Sequence, residues 1–185
     1  MNFKPRIPFF SSSNQSIKAG LPPGRLVYVG PEKHDPITIT VFDYDENNFQ
    51  EKHLKTADEC ASFKNTLTAS WINVDGIYDA NIVQSLGDVF QIHSLALEDI
   101  MNTNQRPKID EGKNYDFIVL KMIDFNDATK SIEVEQVSLV LGKNYVLSFQ
   151  ENAQDLFDSV RERLRSGNSR IRRLPSDYLM YALMD

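Results

Sequence analysis

The sequence predicts an α/β or α+β layered domain, and the order of its hydropathy patterns carries that reading. Through the first part of the chain, short runs rich in Val, Ile, Thr and aromatic residues alternate with helical patterns; later strands follow one another through tight breaks. A make-up of 41% apolar and 25% charged residues over 185 positions supplies one core of ordinary size.

Leu26 to Gly30, Ile37 to Phe42 and Trp71 to Asp75 read as strands, since β-branched and aromatic residues dominate them and Gly, Pro or Asp bounds them. Tyr115 to Asp124, Ile132 to Leu141 and Tyr145 to Phe149 follow, and the breaks at Asn126-Asp127 and Gly142-Lys143-Asn144 suit hairpin turns. Between the two groups, Thr56 to Leu67, Asp79 to Phe90 and Ser94 to Asn102 read as helices. In the second of these, Ile82, Val83, Leu86, Val89 and Phe90 form an apolar stripe at helical spacing. Ser94 is the candidate N-cap of the third.

Three regions result. Residues 1–25, with Pro5, Pro8, Pro22, Pro23 and Ser11-Ser12-Ser13, read as a flexible tail. Residues 26–150 form the α/β domain, and residues 151–185 are helical. There Leu156, Phe157, Val160 and Leu164 make one helix face, with Asp155 and Asp158 near its start and Arg161, Arg163 and Arg165 near its end, as the helix dipole favours. Gly167-Asn168-Ser169 breaks that helix, and Ser176 to Asp185 opens another that is apolar on nearly every face. So short a helix is not stable alone in water, so it must pack or continue, and no closing residue follows it. The expectation is a chain that breaks off inside a longer helix.

Composition narrows the function. A net charge of −6 and a pI near 5.1 argue against a nucleic-acid partner. Cys60 is the only cysteine, so neither an internal disulfide nor a thiolate cluster can form within one chain. No apolar run approaches the roughly 20 residues of a membrane span. No signal-peptide segment opens the chain, so export is not expected. Phosphate-cradling glycine loops and nucleophile elbows are absent from the sequence, so enzymatic function has no support in it.

Glu98 and Asp99 are the candidate metal ligands. Hard cations such as Mg²⁺ prefer oxygen donors and keep much of their water, so one or two carboxylates make a reasonable weak site. Adjacent helical positions point about 100° apart, which suits two neighbouring sites better than one chelate. Taken alone, the pair fits a solvated acidic turn better than a metal site. Further on, Pro107 ends the preceding helix and fixes the turn into the next strand, and Arg106 is expected to pair with a carboxylate. His34, His53 and His93 fall in no metal-binding spacing and read as structural, with His93 helping to fix a helix entry. Arg161, Arg163 and Arg165 read as balancing acidic neighbours, while Arg170, Arg172 and Arg173 leave an approach to an anionic membrane face open.

The run His93-Ser-Leu-Ala-Leu-Glu-Asp-Ile-Met-Asn-Thr-Asn-Gln-Arg-Pro-Lys108 resembles the signature of the CorA magnesium-transporter family. Other blocks keep that family's order and spacing: Leu21 to Gly24 leading into Leu26 to Gly30, Trp71 to Val74, Glu135 to Ser138, Val160 to Arg165 and Asp177 to Asp185. The resemblance implies a mixed β-sheet between helices, followed by the start of a stalk. It implies the cytosolic regulatory domain of a Mg²⁺ channel-transporter, which also carries Co²⁺ or Ni²⁺. The assembly would be a homopentamer on the cytoplasmic face of the inner membrane, anchored by helices beyond Asp185. In that family the positions of Glu98 and Asp99 help to form divalent-cation sites between protomers, the position of Asp185 joins the Glu98 side, and a neighbour's stalk completes them. The alternatives are a ZntB-like Zn²⁺ transporter domain and a soluble cation-binding module without a pore.

Overall fold

The structure, a computed structural model, describes residues 20, 22–30, 36–126, 130–152 and 155–185. Its frame is one seven-stranded mixed sheet. In chain order the strands are β1 (Thr38–Tyr44), β2 (Phe49–Leu54), β3 (Ala69–Asp75), β4 (Lys108–Glu111), β5 (Asp116–Asn126), β6 (Ser131–Leu141) and β7 (Tyr145–Gln150). Their order across the sheet is β2-β1-β3-β7-β6-β5-β4. Only β3 and β7 run parallel, with Ile72 opposite Leu147; every other pair is antiparallel. The parallel pair is central and buried on both faces, as such pairs require.

Strand alternation sorts the core into two layers. Ile39, Val41, Ile72, Val74, Val140 and Leu147 face one side and meet α1 (Ala80–Phe90) and α2 (Ser94–Met101). Phe42, Tyr44, Trp71, Leu139 and Val146 face the other and meet α3 (Asp158–Arg165) and α4 (Ser176–Met184). This is the mixed sheet between helices that the resemblance implies.

The helices stop and start for local reasons. Asp79 caps α1 by accepting from the Asn81 N–H at 2.8 Å. At its end Gln91 takes a left-handed φ of 59° and the Ile92 N–H returns to the Gly87 carbonyl at 2.9 Å, a Schellman closure without glycine. For α2 the cap is His93 rather than the expected Ser94: its Nδ1 accepts from the Leu95 N–H at 3.2 Å. His93 thus fixes the helix entry as anticipated, and Ser94 becomes the first helical residue.

Other expectations change. Leu26 to Gly30 does not join the sheet; among these residues only Val29 forms a bridge, to Asn102, so the segment is pinned to the end of α2. Thr56 to Leu67 holds a 3₁₀ turn at Asp58–Phe63 instead of a full helix. β2 and β4, both edge strands, were not anticipated. Their sequences, Phe-Gln-Glu-Lys-His-Leu and Lys-Ile-Asp-Glu, are too polar to read as strands, and charge is how edges avoid further pairing. Residues 1–19 and 21 of the expected tail, His34, Asp127 of one expected turn and Ala153 lie outside the described residues. The final helix packs: Leu179, Met180, Ala182 and Leu183 are buried, while Tyr181 is 55% exposed.

Candidate functional site

The site is assembled where α2 meets the edge of the sheet. After α2 the chain turns, with the Gln105 N–H bonded to the Asn102 carbonyl at 3.0 Å, and Pro107 delivers it into β4 at Lys108. β4 pairs antiparallel with β5, Lys108 opposite Val119. Residues two apart on a strand share a face, so Lys108 and Asp110 both turn toward α2. A cleft of about 690 Å³ opens there, its wall including Arg25, Glu98, Asp99, Lys108, Asp110 and Glu111.

Glu98 and Asp99 diverge as helix geometry demands. Glu98 Oε2 accepts the Gly24 N–H at 2.8 Å. Glycine is needed at this contact. Gly24 has φ of +82°, which side-chain-bearing residues rarely adopt, and a Cβ there would stand 2.9 Å from Ser94 Oγ and 3.2 Å from its Cβ, so a substitution here is strained and crowds Ser94. Asp99 instead faces the strand: its Oδ2 lies 2.7 Å from Lys108 Nζ, and its Oδ1 accepts from Gln105 Nε2. Lys108 Nζ also lies 2.5 Å from Asp110 Oδ2 and stands over the Phe117 ring, 5.5 Å from its centroid. Burial alone would lower the Lys108 pKa, but hydrogen bonds to Asp110 and Asp99 outweigh it and hold the ammonium above the ordinary lysine value. The carboxylate partner anticipated for Arg106 is therefore taken two residues later, by Lys108.

A second layer of polar bonds holds the end of α2 to the sheet. Gln136 Nε2 donates to the Asp99 carbonyl at 3.0 Å, and Lys121 Nζ donates to the Thr103 carbonyl at 2.6 Å and to Gln136 Oε1 at 3.2 Å. Desolvation lowers the Lys121 pKa. Sequence reasoning passed over both residues. The available signal was Lys121 at a core-facing position of an apolar strand, in step with Phe117 and Val119.

Asp185 stands elsewhere. It follows α4, in the layer on the opposite face of the sheet from α2, with its N–H on the Tyr181 carbonyl at 3.1 Å and its Oδ1 3.5 Å from the Tyr181 hydroxyl. One chain does not bring Glu98 and Asp185 together. Among the described residues no group of three or more His, Cys, Asp and Glu side chains could hold a metal ion. The carboxylate oxygens have the right chemistry for a hard cation, yet those of Asp99 are already engaged within the chain.

The remaining candidates are structural. His53 bonds Thr40 Oγ1 at 3.0 Å, and burial pushes the Cys60 thiol up to about 12. Arg165 forks onto Glu51 at 2.9 and 2.8 Å, and Arg161 pairs with Asp158 at 2.7 Å. Arg172 donates to the Asp45 carbonyl at 3.2 Å, and Arg173 reaches Glu46 at 3.3 Å. Most of the basic cluster thus serves the fold.

Comparison with known proteins agrees with this architecture. A family model described as CorA-like Mg²⁺ transporter protein matches residues 68–185. The chain is 46% identical over 170 residues to the cobalt/magnesium transport protein CorA of Thermotoga maritima, covering 92% of this chain and 48% of that protein. It therefore spans about half the length of that relative. Among solved structures, the full-length CmaX protein matches at a TM-score of 0.63 and 14% identity, over 82% of this chain and 46% of that one. The soluble domain of CorA from Methanocaldococcus jannaschii matches at 0.56 and 13%, over 79% of this chain and 54% of that one. The ZntB cytoplasmic domain from Vibrio parahaemolyticus matches at 0.56 and 11%, over 79% of this chain and 56% of that one. These likenesses describe the fold. No helix among the described residues is long and apolar enough to cross a membrane. With the family model covering well over half of the sequence, the chain belongs to the CorA-like Mg²⁺ transporter family.

Proposed function

We propose that this chain is the cytosolic, divalent-cation-sensing part of a CorA-like channel-transporter for Mg²⁺, and also for Co²⁺ and Ni²⁺, at the cytoplasmic face of the inner membrane. In this reading a homopentamer closes when Mg²⁺ binds acidic residues at the interfaces between protomers. The observation that carries it is the pair Glu98 and Asp99, which line one cleft from adjacent positions of α2 and point different ways. Asp185, on the opposite face of the sheet, is the surface that a neighbouring copy would present to the Glu98 side.

The mechanism follows from charge. Acidic faces of neighbouring protomers repel, and a hydrated cation between them exchanges that repulsion for shared attraction, so Mg²⁺ favours the closed assembly. Moving a two-state equilibrium from 1:99 to 99:1 takes about 5.5 kcal/mol of differential binding, or roughly 1.1 per site over five weak sites. Falling Mg²⁺ empties the sites and loosens the interfaces, and opening restores the ion.

The test is Mg²⁺ flux through the complete protein in liposomes, titrated with Mg²⁺ on the cytosolic side. Glu98→Gln with Asp99→Asn is expected to leave the channel open at Mg²⁺ concentrations that close the parent. Unchanged closure would remove these residues from sensing.

A ZntB-like Zn²⁺ transporter domain is the second reading, favoured by the fold likeness to the Vibrio domain. Zn²⁺ seeks nitrogen and sulfur ligands, whereas the cleft offers carboxylates with His93 already used as a helix cap. Zn²⁺ in place of Mg²⁺ in the same liposome assay separates the two.

A further inference from the structure

Resting on the reading of Glu98 and Asp99 as cation ligands, we infer that Lys108 is a built-in competitor of the divalent cation, its ammonium holding Asp99 until the ion displaces it. The geometry is that of an ion already in place. Lys108 Nζ sits between two carboxylates, 2.7 Å from Asp99 Oδ2 and 2.5 Å from Asp110 Oδ2. Arg25 lines the same cleft, but among the described residues Lys108 alone forms an ion pair with Asp99.

Three features make this cation displaceable. The Lys108 side chain is 33% exposed, so water can receive its charge. Its stem is flexible and unbranched, so the ammonium can swing away without moving the backbone. Its strand, β4, is an edge of four residues paired only with β5. Asp99 has little such freedom: its side chain is 14% exposed, and its own carbonyl is tied to Gln136. The carboxylate is therefore fixed and the lysine is the movable partner. A tethered single charge is always present, so a dication wins Asp99 only above a threshold concentration, and Lys108 raises that threshold. The lysine also keeps Asp99 from standing as an uncompensated charge when the ion is absent.

The experiment uses the complete protein and MgCl₂, reading the concentration at which half of the Mg²⁺-dependent rise in thermal midpoint is reached. Lys108→Met is expected to unfold at lower temperature without Mg²⁺ and to reach its half-point at about fivefold less MgCl₂, near the upper limit for a partly exposed pair. Lys108→Gln, which keeps hydrogen bonding without charge, carries the same test should the methionine variant not fold. Lys108→Arg keeps the cation and stays with the parent. Lys113→Met removes one charge from the adjoining turn, away from Asp99, and also stays with the parent. If Lys108→Met and Lys113→Met shift alike, the effect is general charge and the competitor role is overturned. Asp99→Asn separates the two ideas: if it abolishes the response while the Lys108 variants leave the half-point unmoved, Lys108 alone loses its role. A parental response in Asp99→Asn overturns the cation site and the competitor with it.

Discussion

The two faces of the sheet hold their helices by different means. On the α3 and α4 side the grip is apolar and aromatic. Trp71 stacks on Phe42 at 4.8 Å, meets Phe157 edge-on at 5.7 Å, and places its indole N–H on Ser148 at 2.8 Å, so even the buried polar atom is satisfied. On the α1 and α2 side an apolar core is topped by exchangeable polar contacts: Glu98 to Gly24, Lys108 to Asp99, Gln136 to the Asp99 carbonyl. Apolar burial has no alternative partner, whereas a carboxylate can trade one cation or donor for another. A rigid face thus backs a face whose polar contacts can be exchanged.

That contrast can be broken first at Trp71. Trp71→Ala is expected to cost about 3–5 kcal/mol through the cavity and the orphaned Ser148 contact. Urea unfolding followed by circular dichroism measures it, since Trp71 is the only tryptophan and fluorescence is lost with it. A loss below about 1 kcal/mol would deny that this face is the rigid one.

Gly87 tests the other face. A Cβ at Gly87 would meet Leu97 Cδ1 at 2.3 Å, where α1 and α2 approach closely, and Leu97 is buried with little room to yield. Helix propensity alone predicts that Gly87→Ala gains about 1 kcal/mol, but overpacking is expected to reverse the sign to a loss of about 1–3. Adding Leu97→Ala opens the space, so the double variant should lose less than the sum of the singles. Strict additivity would mean that the helices do not touch there.

The smallest effect lies on the surface of the rigid face. Hydrogen bonding to Arg165 holds the Glu51 carboxyl below its ordinary value of 4.5. A depressed pKa stabilises the fold above the unfolded value, and the contribution fades as pH falls from there through the folded value. Glu51→Gln should therefore be less stable than the parent at pH 6, by under about 1 kcal/mol, and the gap should narrow as the pH is lowered below 4.5. A gap that does not narrow with falling pH would place the cause in packing instead of charge.

Much of this architecture is legible in the residues, and the exceptions share a cause. β1, β3, β5, β6 and β7 carry apolar or alternating runs because they sit inside the sheet, and α1 carries a stripe because one side of it is buried. β2 and β4 are edges, so their charged sequences hide them. Leu26 to Gly30 has strand composition but finds only the end of α2 to pair with. Glu98 and Asp99 could be picked out from the sequence. Their partners could not be, since Gly24 is 74 residues from Glu98, and Lys108 reaches Asp99 only because β4 turns back beside α2.

Local chemistry was written in the chain itself: which residues alternate, where helices begin, that the carboxylates on α2 diverge, and the ordered blocks that mark the family. Short-range rules suffice for these, because strand and helix periods and capping act over a few residues. Tertiary structure decided the parallel union of β3 with β7, the placement of Asp185 across the sheet from Glu98, and the occupation of Asp99 by Lys108. These depend on register and on long loops closing, so no local pattern carries them.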